Sequence, residues 1–375
     1  MTINEILDVI VKRKINELNT KGYIPGGNNG PYYDNETPVR NTAHFITTLY
    51  YYYLRDQNPV YLDAINKCGD YLLSKEVRPF DKTVYCRQDK NKDLSNGVIG
   101  PAWVIEGLVS AFKASGERKY IDLAKKLFLM TPFDKEYKMW EIMDIDGKKK
   151  GFDLTFNHQL WFAAAGVQVL SVENDLEIRI RCKAFLNNID EHIKSYSNGL
   201  IKHYINYGNF NENLKDKIYK LLKQKANQIR LYYKENGYHL FNIYAFALIK
   251  DHGFEIDYFN SKRFKKQVQY CFDKKLYKWL LRKSIRFDGN KMPHVKNNHF
   301  NIYGFSYNAP GFELPYIYKV FENIIGNKKD FVNLIVNKQI DLTYNEKDFT
   351  FNKNNEDSIT LESRMYEYTR FLINK

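Results

Sequence analysis

Apolar residues recur along most of this chain at three- and four-residue spacing, with turn residues between the runs, which is the periodicity of helices. The pattern predicts helices over 3–18, 40–55, 59–74, 101–115, 117–129, 157–171, 174–194, 212–232, 239–250, 262–281, 312–325, 328–338 and 358–373. No comparable series of alternating strands accompanies them. Only 199–207 and 284–295 read as short extended pieces.

Two kinds of helix alternate. Some are apolar on most faces and carry small residues, as in Trp161-Phe-Ala-Ala-Ala-Gly166, whereas others are amphipathic and charged. Asn58-Pro-Val-Tyr61-Leu-Asp63-Ala-Ile and Gly116-Glu-Arg-Lys-Tyr120-Ile-Asp122-Leu-Ala look like copies of one unit, with a weaker third copy starting at Gly326. Each of the first two follows an aromatic-rich, less charged helix. Such repetition is expected of a ring of helical hairpins. Long loops at 22–40, 78–100, 130–156 and 287–311 hold many of the glycines, prolines and isolated polar residues, where function tends to sit. No low-complexity linker divides the chain, so residues 1–375 are expected to form one domain.

Composition narrows the classes. Net charge is +13, from 57 basic and 44 acidic residues, which suits an acidic oligo- or polysaccharide. The basic residues are dispersed over helix faces and the runs 148–150 and 262–266 are short, so no nucleic-acid partner is expected. The 30 tyrosines and 25 phenylalanines fit both core packing and stacking on sugar faces. No apolar run is long enough to insert in a membrane and the N-terminal residues lack a signal-peptide order, so a cytoplasmic protein is expected. Cys68, Cys86, Cys182 and Cys271 show no ligand or disulfide spacing and read as buried thiols. His294 and His299 make a poor metal pair, the Gly26–Gly30 loop lacks a phosphate-cradle motif, and neither metal nor cofactor is expected. The oligomeric state stays open.

Against this background Asn157-His158 stands out, a polar pair opening an otherwise buried-looking helix. A buried amide and imidazole cost several kcal/mol unless bonded, so they belong to a network or to chemistry. Asn298-His299 repeats the pair in a loop rich in hydrogen-bonding groups, ahead of Tyr303 and Glu313. Either pair is a candidate centre. A glycosidase would instead need two carboxyl groups, for which Asp153 and Glu313 are best placed among candidates that include Asp34, Glu36, Glu106, Asp288 and Glu362. Glu106 and Glu362 read rather as buried partners of arginines such as Arg40 or Arg364. In the N-terminal loop Tyr32, Tyr33, Arg40 and His44 are candidates to line a sugar cleft.

The Tyr-Leu-Asp-Ala helix starts, the Asn96-Gly97-Val-Ile-Gly100-Pro-Ala-Trp103 segment and the closing Thr360-Leu-Glu362-Ser-Arg364-Met-Tyr366 helix resemble the six-hairpin glycosidase and polysaccharide lyase superfamily. That resemblance implies an all-α fold, an (α/α)6-type toroid. Asn157-His158 with Trp161 is similar to the Asn-Asn-His-x-x-Trp segment of toroidal alginate lyases, with Phe156 in place of the first Asn. Arg230 followed by Tyr238-His239, Asn242 and Tyr244 resembles a second block of those lyases, with the gap one residue longer. The resemblance implies β-elimination on a uronate. Asn157 and Arg230 would neutralise the substrate carboxylate, while His158 and Tyr238 share the base and acid roles. Trp161, His239, Asn242, Tyr244, Asn298, His299, Tyr303, Trp103, Arg40 and His44 would contact the glycan. Hydrolysis of the unsaturated-uronyl type, C5 epimerisation and non-catalytic glycan binding in surface polysaccharide production are the alternatives.

Overall fold

The computed structural model describes residues 1–32, 34–205, 214–283 and 300–373, apart from the side chains of 214–228. Helices begin where the sequence supplies caps. Thr2 accepts from the Glu5 amide and the Glu5 carboxylate accepts from that of Thr2, a capping box that opens α1 (Ile3–Lys21). After α2 (Val39–Asp56), Asn58 caps α3 (Pro59–Leu73), with Pro59 at a first-turn position that needs no amide hydrogen. Gly22 and Gly116 end α1 and α4 (Ile99–Ser115) in the left-handed conformation a Cβ disfavours.

The remaining helices are α5 (Arg118–Met130), α6 (Phe156–Leu170), α7 (Leu176–Leu186), the short α8 (Ile189–His192), α9 (Leu214–Asp251), α10 (Lys262–Tyr270), α11 (Lys274–Leu280), α12 (Pro310–Ile325), α13 (Lys329–Thr343), α14 (Ser358–Ser363) and α15 (Tyr366–Ile373). Among the described residues, six of the fifteen helices close an inner ring: α2 packs on α4, α4 on α6, α6 on α9, α9 on α12, α12 on α15, and α15 returns to α2. The others lie outside. This is the (α/α)6 toroid, and the alternation of inner and outer helices makes all six inner ones run the same way.

The two compositions in the sequence follow from these places. Residues 99–111 of α4 are buried without a break because neighbours cover every face, whereas outer α5 buries only a stripe that includes Tyr120, Ile121, Ala124, Leu127 and Phe128. At the seam between α6 and α9, Trp161 stacks on Phe241 with centroids 4.4 Å apart and donates its indole N–H to the Phe241 carbonyl at 3.1 Å. All four cysteines are free and buried.

The structure corrects several expected elements. A three-stranded antiparallel sheet, β1 (Phe133–Asp134), β2 (Met139–Met143) and β3 (Lys149–Phe152), occupies the loop before α6. Its strands are too short, and its register too irregular between Glu141 and Met143, for alternation to reveal them. Residues 199–205 of the expected piece 199–207 run through isolated bridges from Ile201 to Ser195 and from Tyr204 to Thr155, while 206–207 and 284–295 lie outside the described residues. The expected helix 174–194 breaks at Asn187-Asn188, 262–281 breaks before Asp273, which caps α11, and 358–373 breaks at Arg364-Met365. The expected helices 212–232 and 239–250 are one continuous α9.

Gly237 sits inside α9 for a packing reason. A Cβ there would lie 2.3 Å from the Tyr303 Cβ and 2.5 Å from the Tyr303 carbonyl oxygen. Gly237→Ala is therefore expected to destabilise the fold by about 1–3 kcal/mol despite alanine's better helix propensity, read as a lower urea midpoint. An unchanged or raised midpoint would mean that the Tyr303 segment yields freely.

Candidate active site

The N-terminal ends of α4 and α6, the middle of α9, the turn before α15 and the loops beside them surround a cavity of about 210 Å³. Trp103 projects into it from the first turns of α4, Asn157 and His158 from the start of α6, Lys234 and Tyr238 from α9, and Arg364 from the turn before α15. The loops supply Asn29, Tyr32, Asp34, Arg87, Lys92, Asn96, His203, Tyr307 and Asn308. Helix N-termini carry partial positive charge, so an anionic group is favoured at this end of the ring.

His158 is held by a carboxylate. Its Nδ1 lies 2.8 Å from Asp153 Oδ2, which also accepts the Val98 amide at 3.0 Å, while Asp153 Oδ1 accepts the Thr155 amide at 3.1 Å. Burial alone would raise the Asp153 carboxyl, but the His158 imidazole and the two amides outweigh it and hold Asp153 below its ordinary value. An ionised carboxylate only accepts, so Nδ1 carries the proton and Nε2 is left as a base. Gly97 lines the same corner: its φ is +62°, and a Cβ would sit 2.1 Å from Asp153 Oδ2. The sequence reading placed Asp153 among glycosidase acids; here its carboxylate is engaged in orienting His158.

On α9, Tyr238 stands in a tyrosine cluster, with ring centroids 6.1 Å from Tyr307, 6.2 Å from Tyr303 and 5.6 Å from the His203 imidazole. Burial, and then the neighbouring tyrosines, push its phenol well above the ordinary value, so Tyr238 keeps its proton. Burial, and then Lys234 and His158, push His203 well below its ordinary value, so His203 is neutral. The Lys234 ammonium lies over the faces of Tyr32 at 5.3 Å and Tyr238 at 5.7 Å. No carboxylate is within ion-pair distance of it among the described residues. Burial, followed by Arg230, lowers its pKa to about 7.

At the floor, Arg364 lies over the Phe241 ring at 4.8 Å and is gripped by Glu313 at 2.6 Å and Glu367 at 2.7 Å. Glu313 is fully buried in that pair and does not line the cavity, so its expected place beside a scissile bond is corrected. Arg40 is buried too, 3.1 Å from Glu36 and 5.0 Å from the Trp103 ring, which it backs. His44 stacks on Tyr366 at 4.0 Å beneath Trp103, also out of the cavity. Glu106 and Glu362 are buried partners of arginines as expected, though of other arginines than Arg40 and Arg364: Glu106 pairs with Arg370 at 2.7 Å, and Glu362 with Arg13 at 2.6 Å.

Of the predicted site residues, Asn157, His158, Tyr238 and Trp103 meet at the cavity, and Asp153 reaches it through His158. Trp161, Tyr244 and Tyr303 are buried in the packing behind it. His239 accepts the Ile201 amide at 3.3 Å and bonds the Gln267 carbonyl at 2.9 Å, while Asn242 donates to the Tyr238 carbonyl at 3.0 Å. Arg230 lies one turn from Lys234 and does not line the cavity. Asn298 and His299 lie outside the described residues. The sequence reading missed His203, Lys234 and Tyr307, and treated Arg364 only as an ion-pair partner. A signal for Lys234 existed, since Arg230, Lys234 and Tyr238 recur every four residues and share one helix face.

The ring has the fold of helical toroids already solved for sugar-processing proteins. Two solved structures show the likeness: a sugar epimerase from a ruminal bacterium, 12% identical with TM-score 0.61 over 100% of both chains, and a polysaccharide lyase, 10% identical with TM-score 0.55 over 99% of this chain and 97% of that one. Both establish the fold alone. No family model matches the chain. Archaeal glycosylation protein Q of Haloferax volcanii is 31% identical over 387 residues, spanning 98% of this chain and 97% of that protein, and the chain belongs to its family.

Proposed function

We propose that this protein is a carbohydrate-active enzyme that epimerises an acidic sugar by moving the proton on the carbon beside its carboxylate. The observation that carries the reading is the Asp153–His158 pair opening onto a cavity that also holds the protonated Tyr238 phenol and a cluster of cationic and amide donors. His158 Nε2 takes the proton. The electron pair moves onto the carboxylate as an enolate, whose oxygens accept from Asn157 and Arg364, and Tyr238 returns a proton to the opposite face of the carbon. The tyrosinate then recovers a proton from His158 through solvent. His203 and Trp103 complete the wall against the sugar.

Two facts favour epimerisation over cutting. The relative is a glycosylation protein, and glycan assembly calls for reactions that keep the sugar intact. Hydrolysis by two carboxyl groups is poorly served, because Asp153 is engaged with His158 and Glu313 with Arg364, and Asp34 is ion-paired with Lys92. β-Elimination shares the first step and is the second reading, supported by a Tyr238 proton that suits a leaving oxygen as well as a carbon. Among the described residues no group of side chains suits a metal and no helix is long and apolar enough to cross a membrane.

Incubation with uronates and uronate-containing oligosaccharides in deuterated water tests this. One deuterium per turned-over sugar without cleavage is expected. Ultraviolet absorbance from a new conjugated double bond would replace epimerisation by elimination, and reducing ends without deuterium would overturn both. Tyr238→Phe should lower turnover about 10²-fold while leaving the thermal midpoint near that of the parent.

A further inference from the structure

The Lys234 ammonium stands in the wall of the cavity with two aromatic faces against it and no acidic partner among the described residues. Its surroundings explain why. The neighbouring carboxylate, Glu235, is turned away: one oxygen accepts the Tyr196 hydroxyl at 2.9 Å and the other the His203 amide at 3.1 Å. One helical turn earlier Arg230 adds a second positive charge on the same stripe, and its field opposes that of Lys234. Tyr32, from the loop before α2, and Tyr238 present uncharged rings, and His203 is neutral. Among the described residues the ammonium is thus held beside a like charge, with Glu235 committed to Tyr196 and His203 and Asp34 to Lys92. Burying such a charge is costly unless a ligand neutralises it.

We infer that Lys234, with Arg230 behind it, supplies the uncommitted positive charge for the anionic group of the substrate, beside the Asn157 and Arg364 donors, and is the residue that selects acidic over neutral sugars. The inference deepens the reading of the same cavity given above and rests on it. The shared chemistry is a compact oxyanion on a sugar, either a carboxylate or a phosphate. Cation–π contact with Tyr32 and Tyr238 keeps the ammonium in place while leaving its N–H groups for an oxyanion. Arg364, Arg87 and Lys92 also line the cavity, but each is already bonded to carboxylates of the chain: Arg364 to Glu313 and Glu367, Arg87 to Asp93, and Lys92 to Asp34.

A pH dependence follows from the lowered pKa of about 7. Below it the ammonium is present and attracts an anion; above it the amine is neutral and the attraction is lost. Binding an anion raises the pKa, so at pH 8 binding takes up protons.

Calorimetric titration with glucuronate, glucose 1-phosphate and glucose tests the inference without requiring turnover. The parent protein is expected to bind at least one of the two anions about tenfold or more tightly than glucose at pH 6, with the advantage shrinking by pH 8.5. The anion that gains identifies the carboxylate or the phosphate as the group recognised. Lys234→Met should abolish the advantage while leaving glucose binding unchanged, and Lys234→Arg should keep it at both pH values because a guanidinium does not titrate there. Retention of the preference in Lys234→Met, or no preference for either anion in the parent, overturns the inference. Binding that behaves as expected without deuterium exchange on any uronate would sink the epimerase reading and leave the anchor standing. Exchange on a uronate that is indifferent to Lys234→Met would do the reverse.

Discussion

Replacing His158 by alanine is expected to lower turnover of an acidic sugar by about 10³–10⁴-fold, toward the upper end of what a positioned general base contributes. The more informative variant is Asp153→Asn, with a loss of similar order. Asp153 Oδ2 accepts from both the Val98 amide and His158 Nδ1, so in the parent the imidazole proton sits on Nδ1 and the Nε2 lone pair is available. An asparagine whose oxygen takes the Oδ1 place keeps the Thr155 amide and turns its NH₂ toward Nδ1, giving up the Val98 bond. The imidazole then carries its proton on Nε2 and cannot accept another there, while ring position and volume hardly change. Deuterium exchange at the carbon beside the carboxylate is the readout, with uronate affinity as control. If Asp153→Asn loses affinity in proportion and keeps its exchange rate once saturated, the pair holds the pocket together and does not activate a base.

How far this site could be read in the residues depends on what each residue's neighbours are. Asn157-His158 was legible because two polar residues open a run that is otherwise apolar, and the fold places that run in the inner ring with the pair at its N-terminal end. The alternation of Trp161–Gly166 type helices with amphipathic ones was legible for the same reason, since burial on all faces or on one stripe leaves its mark in composition. Partners across hairpins leave no such mark. Asp153 was visible, but its bonds to His158 and to Val98 on another hairpin were not, and the residue read as an acid rather than as an orienting group. Glu313 shows the same limit: a carboxylate ahead of an aromatic helix looks catalytic until Arg364, 51 positions away, is seen to grip it. His203 was hidden in an extended stretch pinned only by isolated bridges, and Gly237 disguised a continuous α9 as two helices.

Replacing Arg364 by methionine is expected to cost about 3–5 kcal/mol, because it removes the ion-pair partner that the buried Glu313 and Glu367 share. Burial, and then the Glu367 charge, already push the Glu313 carboxyl well above its ordinary value even with the guanidinium present. Without it both carboxyls rise further. Their folded-state pKa values then exceed the unfolded ones, so the variant is stabilised below the ordinary glutamate range and loses stability as pH climbs through the folded values. Urea melts at pH 4.5 and 7.5 should therefore show a small deficit at the lower pH and a large one at the higher. Adding Glu313→Gln to Arg364→Met should recover part of the loss at pH 7.5, since one of the two unpaired charges is gone. A deficit that does not depend on pH, or a double variant no better than the single one, would mean that Arg364 acts through its packing on Phe241 and not through its charge. The same guanidinium lines the cavity, so a Glu313→Gln variant that stays folded also bears on the chemistry: with one of its two carboxylate partners neutral, Arg364 would attract an enolate oxygen more strongly, and exchange should hold or rise where stability falls.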